Sequence, residues 1–343
     1  MTAELTRHEI PKPSEAWKWV LAGSIYGLLM RVLFGFLPSD SGGVMSAAFL
    51  VVTPTVVGAL ATYGARNRNP SFGAMIIRPC AAMLLMLAGC AVTLLEGAIC
   101  LAMMMPLFLI FAIIGGVGMG IALHYAGRHS GKLPCVALLP LLMVLGEQGV
   151  PTHDRVLELK QSIVIDASPQ TVWNQILTAR DIVPEELPLS LTHLIGVPKP
   201  VEGVNRSTQD GEVRYSKWER GVNFRAVVTH KVQHESITWN YVFDGESFPP
   251  GSMDDHVAIG GEYFNLQDTT FKLHRLAGER TRLDIVTHHR ITTSVNFYAV
   301  PVATLLGNDF ISTILTLYKT RSENSNRKSK VTAAPLQHDV APV

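Results

Sequence analysis

Ile163-Val164-Ile165-Asp166-Ala167-Ser168-Pro169-Gln170-Thr171-Val172-Trp173 is the stretch on which the reading of this chain turns. A β-branched run is stopped by an aspartate, and a Ser-Pro pair then opens an amphipathic segment. Ile163 and Ile165 share one face of a half-buried strand, Ser168 supplies an N-cap and Pro169 a first-turn proline. The sequence thus predicts a strand over 157–166 feeding a helix over 169–178. Val172, Trp173, Ile176 and Leu177 fall on one face of that helix.

Downstream, a second short helix is expected over 185–195, flanked by prolines. Strands follow at turn-bounded intervals: 201–207, 212–219, 223–232, 236–243, 256–266, 269–276 and 282–293. Period-two patterning is clear in Phe224/Ala226/Val228 and in Ile237/Trp239/Tyr241/Phe243. Gly278-Glu279-Arg280 reads as a hairpin turn between the last two strands, and 297–318 as a long closing helix. The polar, basic residues from 320 on are expected to be disordered, which ends the domain at Ser322 and leaves 323–343 as a tail.

Upstream the composition changes. The chain has 343 residues, is 48% hydrophobic and has a mean hydropathy of +0.23, too apolar for one soluble globule. Residues 1–150 hold nine of the 29 Lys and Arg and six of the 28 Asp and Glu. This half reads as a transmembrane region. The runs 17–37 and 44–65 are each long enough to cross a hydrocarbon core of roughly 30 Å, and 76–125 breaks at Leu95-Glu96-Gly97 into two more. The stretch 133–146, with Pro134 and Pro140, is a short fifth span or a re-entrant piece. Arg7, Lys12, Lys18, Arg66, Arg68, Arg78, Arg128 and Lys132 alternate with connections that carry only Asp40 and Glu96, which puts the N-terminus in the cytoplasm, as in a bacterial inner membrane. Five spans place the second half outside and four place it in the cytoplasm. Arg31, Glu96 and Glu147 lie in or at the edge of apolar runs. They read either as a polar path for transport or, as we favour, as groups that pair within the bundle or reach the interface. Gly23/Gly27 and Gly116/Gly120 have the spacing that lets helices approach closely. Cys80, Cys90, Cys100 and Cys135 all sit in this half and read as small hydrophobes.

A strand, two short helices, an antiparallel meander and a long closing helix, entered through the 163–173 motif, resemble the START-like or SRPBCC superfamily. This is also called the Bet v 1-like or polyketide cyclase/dehydrase fold. The resemblance covers about 157–322, and the full layout is similar to uncharacterised bacterial SRPBCC membrane proteins. It implies a helix-grip domain in which the sheet wraps the last helix around an apolar cavity for lipids, polyketides or similar molecules. It carries over no shared catalytic set. Phe224, Ala226, Val228, Trp239, Tyr241, Tyr263, Phe264, Ile285, Phe297, Leu305, Leu306 and Phe310 are the candidate lining, set against the alternative of a filled core, with Gly260-Gly261 allowing sheet curvature.

The function expected is thus a membrane-anchored module for a hydrophobic small molecule or lipid. The alternatives are a cyclase-like enzyme using polar groups such as Tyr241, His230 or Glu262, and a scaffold without a cavity. The net charge of +1 makes no case for nucleic acid. His230 and His234 share a strand face, His256 follows Asp254-Asp255, and His288-His289 point to opposite faces, yet no metal-ligand spacing occurs and no cofactor is implied. Phe248 to Met253 and 187–197 are the expected gates to the cavity.

Overall fold

The computed structural model describes residues 14–37, 43–64, 66, 70–125, 136–147, 152–209, 211–254 and 259–333. Arg7, Lys12, Asp40, Arg68, Arg128, Lys132, Cys135, Asp255 and His256 lie outside them. The chain divides into two compact units, Met1–Thr152 and His153–Val343.

The first unit is helical: α1 (Ser14–Gly35), α2 (Thr53–Tyr63), α3 (Phe72–Val92), α4 (Ala98–Tyr125) and α5 (Leu139–Glu147). By length and composition, α1, α3 and α4 are apolar enough to cross a membrane. The run expected as one span over 44–65 is not a single α-helix. A 3₁₀ turn (Gly43–Met45) and a π-helical stretch (Ala48–Val52) precede α2. Gly58 and Gly115 bring α2 and α4 together. A Cβ on Gly58 would lie 1.9 Å from the Ala112 carbonyl oxygen, and one on Gly115 only 1.8 Å from that of Thr55, so any side chain there would force the helices apart. This contact is closer than those at Gly23, Gly27, Gly116 and Gly120, the positions singled out by spacing. Arg31 is buried and donates to Glu96 and to the Leu95 carbonyl (2.8 Å). Glu147 accepts from the Ala47 amide at 3.1 Å. Both contacts fit groups that pair within a bundle.

The second unit is built on eight antiparallel strands in the order β1-β8-β7-β6-β5-β4-β3-β2. They are β1 (Asp154–Ile165), β2 (Thr178–Ala179), β3 (Pro200–Thr208), β4 (Gly211–Trp218), β5 (Asn223–Val232), β6 (Ser236–Val242), β7 (Phe264–Leu276) and β8 (Arg280–Thr292). Between β1 and β3 come α6 (Pro169–Leu177) and the single turn α7 (Leu191–Leu194), and α8 (Asn296–Ala333) closes the chain. The helix start expected at Ser168 is present, its side chain accepting from the Thr171 amide at 3.3 Å. Val172, Trp173 and Ile176 are buried from that helix and meet Ile165, Ile237, Phe271, Leu283, Ile311 and Leu315 in one core.

Three expectations are corrected. The helix expected over 185–195 is broken into a 3₁₀ turn (Pro184–Glu186) and α7, because Pro188 interrupts it. The strands expected at 256–266 and 269–276 are one strand, β7, with a register shift at Leu266/Asp268; Gly260 and Gly261 precede it in a turn and do not curve the sheet. Finally, α8 does not stop near Tyr318 but runs to Ala333. Hydrogen bonds hold the extension: Glu323 accepts from the Asp166 amide (3.0 Å), Asn326 donates to the Asp166 carbonyl (2.9 Å) and Gln175 donates to Ser325 (3.2 Å).

Candidate functional site

The site follows from how α8 lies on the sheet. Its middle is driven into the core through Ile311, Leu315, Leu317 and Tyr318. Gln161 of β1 donates to both the backbone and the side chain of Asn308 (2.8 and 3.0 Å), and Lys319 donates to the Val164 carbonyl at 2.8 Å. By length and composition α8 could also cross a membrane, but these contacts make it the helix that the sheet grips. Ala299 to Phe310, apart from Pro301 and Leu305, are only half-buried, so the grip loosens towards the helix start. The second unit is a helix-grip domain.

Alternation places Leu159, Thr287, Thr269 and Trp239 side by side across β1, β8, β7 and β6 on the concave face. A hydrogen-bonded chain runs through this row. Trp239 Nε1 donates to the Tyr241 hydroxyl (3.1 Å), which donates to Thr269 (2.9 Å), which donates to Thr287 (3.2 Å), which donates to the Asp268 carbonyl (2.8 Å). Burial pushes the Tyr241 phenol up, and it stays protonated as the donor this chain needs. One row along β8 is His289, 3% exposed, between Leu157 and Leu266 and with its ring 5.6 Å from Phe264. Its Nε2 is buried and has no partner among the described residues, an arrangement that costs about 1–3 kcal/mol if left so.

Arg214 of β4 is 7% exposed and faces inward. Its guanidinium donates to the Ile176 carbonyl (2.7 Å), Asn205 (3.1 Å) and the Tyr318 hydroxyl (3.1 Å), and lies 4.7 Å from the Trp239 ring centre. Gly203 leaves it room, since a Cβ there would come within 2.2 Å of Nη2. Among the described residues no carboxylate pairs with it. An aromatic cluster joins the helix to the sheet: Phe310 stacks on Trp218 (5.3 Å), Trp218 meets Phe224 (5.4 Å), and Phe224 meets Tyr241 and Phe243. His193 of α7 packs on Phe310. Its Nδ1 donates to the Val197 carbonyl (3.0 Å), which leaves Nε2 as an acceptor, buried and without a partner among the described residues.

Of the residues singled out from sequence, Phe224, Ala226, Trp239 and Ile285 are buried, with Val228 and Tyr241 packed against the core. Leu306 and Phe310 are half-buried on α8. Tyr263 lies before β7, outside the sheet. Phe297 and Leu305, both on α8, are 65% and 58% exposed. Phe264 stands over His289. His230 and Glu262 are exposed and do not join the concave face. A half-open cleft of about 610 Å³ at the β4–β5 turn takes in Trp218, Phe224, Arg225 and Ser247; of the sequence set it includes Phe224 alone. The gate segments mix exposed residues (Leu189, Leu191, Leu194, Pro250) with buried ones (Ser190, Thr192, Ser252) and are tied together, because Arg220 donates to the Gly196 and Ser252 carbonyls (2.9 and 3.3 Å).

Sequence reasoning passed over Arg214 because Val213 and Tyr215 give β4 an apolar phase that points outward. His289 was in phase with Leu283 and Ile285, so alternation alone places it inside. Among the described residues no cluster of His, Cys, Asp and Glu could hold a metal ion.

No protein-family model matches the chain, and no curated protein matches it. Solved structures similar to it include a START superfamily protein from Mycobacterium smegmatis, 13% identical, covering 49% of this chain and 98% of that one with a TM-score of 0.34. The Zhui aromatase/cyclase from a Streptomyces species is 9% identical, with 53% and 100% covered and a TM-score of 0.33. A norcoclaurine synthase point mutant from Thalictrum flavum is 8% identical, with 51% and 98% covered and a TM-score of 0.31. The likeness is one of fold, over about half of this chain.

Proposed function

We propose that the chain is a membrane-anchored protein whose helix-grip domain binds a hydrophobic small molecule or lipid between the concave face of the sheet and the first half of α8. The observation that carries this reading is the change along α8, from a middle sunk in the core to a first half that stays half-buried over a wall of apolar side chains crossed by one polar row. Such a wall, apolar with few polar groups, suits a ligand that is mostly hydrocarbon. Ala226, Val228, Trp239, Tyr241, Ile285, Leu306 and Phe310 are its proposed contacts. The apolar helices α1, α3 and α4 supply the anchor, and only residues 148–153 separate α5 from β1, a reach of about 20 Å when extended. A tether that short keeps the domain at a high effective concentration beside the bilayer, where a poorly soluble ligand resides.

A cyclase-type reaction would draw on Tyr241, His230 and Glu262. The last two point to solvent and the Tyr241 hydroxyl is already engaged, so the geometry favours binding. Native mass spectrometry of the purified full chain tests the reading. A co-purifying lipid or isoprenoid near one per chain is expected; a protein that carries none and takes up no hydrophobic probe overturns it.

A further inference from the structure

His289 is a concave-wall side chain whose Nε2 finds no partner among the described residues. The polar row beside it is satisfied: Tyr241, Thr269 and Thr287 bond one another and end on the Asp268 carbonyl. The His289 ring lies one alternation further along β8, almost fully buried among Leu157, Leu266 and Phe264, with Nε2 unpaired. Buried polar atoms in native proteins nearly always have a partner, so an unpaired one on a wall facing a helix that packs loosely marks the place where a partner arrives.

The surroundings select its chemistry. Burial and the adjacent His288 lower the imidazole's pKa, which keeps the ring neutral at physiological pH. Arg155, the cation on the same face of β1, is exposed at the strand's end. A carboxylate buried against a neutral imidazole would lack a counter-charge, and a hydrocarbon would leave Nε2 unpaired. A hydroxyl meets the need, since it can donate to the ring nitrogen or accept from it.

We propose that His289 Nε2 is the hydrogen-bonding anchor for the hydroxyl of an otherwise apolar ligand, a hydrophobic alcohol. This rests on the hydrophobic-ligand reading above, and the test separates the two. The full chain is purified in detergent micelles and titrated with three pyrene-labelled probes of equal chain length that end in an alcohol, a carboxylate or a methyl group. Relative to the unmodified chain, His289→Phe is expected to weaken the alcohol about fivefold, the size of one buried hydrogen bond, and to leave the alkane and the acid within about twofold. His289→Gln, which keeps an amide in reach, is expected to retain most of the alcohol affinity. In the unmodified chain labelled with ¹⁵N-histidine, the His289 ring resonances should shift with the alcohol and not with the alkane, a readout that needs no variant to fold. If the unmodified chain binds no probe, the hydrophobic-ligand reading falls and the anchor with it. If it binds them but His289→Phe weakens all three alike or none, or the ring resonances ignore the alcohol, the anchor alone is overturned and Nε2 belongs to a buried water.

Discussion

His288 and His289 are adjacent in β8 and titrate in opposite senses. On the outer face, His288 lies between Asp268 (Nδ1, 2.8 Å) and Glu158 (Nε2, 3.3 Å); the hydrogen bond to Asp268, then Glu158, raise its pKa. Stability from that shift is complete below the ordinary imidazole value of about 6.5 and is lost as pH rises through the folded value above it. On the inner face burial lowers His289, so stability is lost as pH falls from about 6.5 through its folded value. The thermal midpoint of the second unit, followed against pH, should therefore fall on both sides of a maximum. His288→Gln is expected to remove the decline on the alkaline side and His289→Gln the one on the acid side. Profiles unchanged by either substitution would show that neither pair of surroundings matters to folding. Arg214 offers a second measurement. Arg214→Met strands the Ile176 carbonyl, Asn205 and the Tyr318 hydroxyl at once, and a loss of about 1–3 kcal/mol is expected in chemical denaturation. A gain in stability would mean instead that the cost of burying the cation exceeds what its three hydrogen bonds return.

The elements that were legible in the sequence are those whose local signals agree with their packing. β1 and α6 were found because β-branched alternation, an N-cap serine and a first-turn proline all point one way there, and Val172, Trp173 and Ile176 do become core. The same physics explains the errors. Polar composition beyond Tyr318 reads as tail, yet α8 continues, since Glu323, Ser325 and Asn326 find partners on the β1–α6 corner and on α6 that no local pattern encodes. The second unit should therefore lose stability when the chain is cut after Ser322. Removing three hydrogen bonds and the packing around them is expected to lower its midpoint by several degrees, and an unchanged midpoint would return 323–333 to the status of a tail. The gate segments can be tested in the same way. Phe248 and Met253 are half-buried, and Arg220, left-handed at φ 56°, straps their loop to Gly196. Arg220→Ala should speed the exchange of a pyrene alcohol between the full chain in micelles and added vesicles by a few-fold, with the thermal midpoint within a few degrees because the strap is exposed. Exchange at the unmodified rate would place the entrance elsewhere.

For the chain as a whole, the open question is on which side of a membrane the helix-grip domain emerges, and contacts within the first unit bear on it. At one end of the bundle Trp19 of α1 meets Tyr63 of α2 (5.0 Å), with Arg66 stacked over both rings. Gly120 near the end of α4 packs on Met75 near the start of α3, so α4 finishes at this same end. The opposite end holds Arg31 with Glu96, and the α1–α2 connection. The Tyr26 hydroxyl, about midway along α1, donates to the Ala137 carbonyl at 2.6 Å, and Glu147 ten residues later reaches Ala47 in that connection. A helical run over 136–147 is only about 18 Å long, too short to cross alone, but it covers the half of the bundle that leads to the Arg31–Glu96 end. If the segment completes a fifth crossing, the chain leaves the bundle at the Arg31–Glu96 end, and the positive-inside rule puts that exit outside. Alkaline phosphatase joined after Val343 should then be active and green fluorescent protein joined there dark, and moving either fusion to Tyr125 should reverse the result. A bright fluorescent fusion at Val343 would mean that the segment turns back without crossing, leaving the helix-grip domain in the cytoplasm.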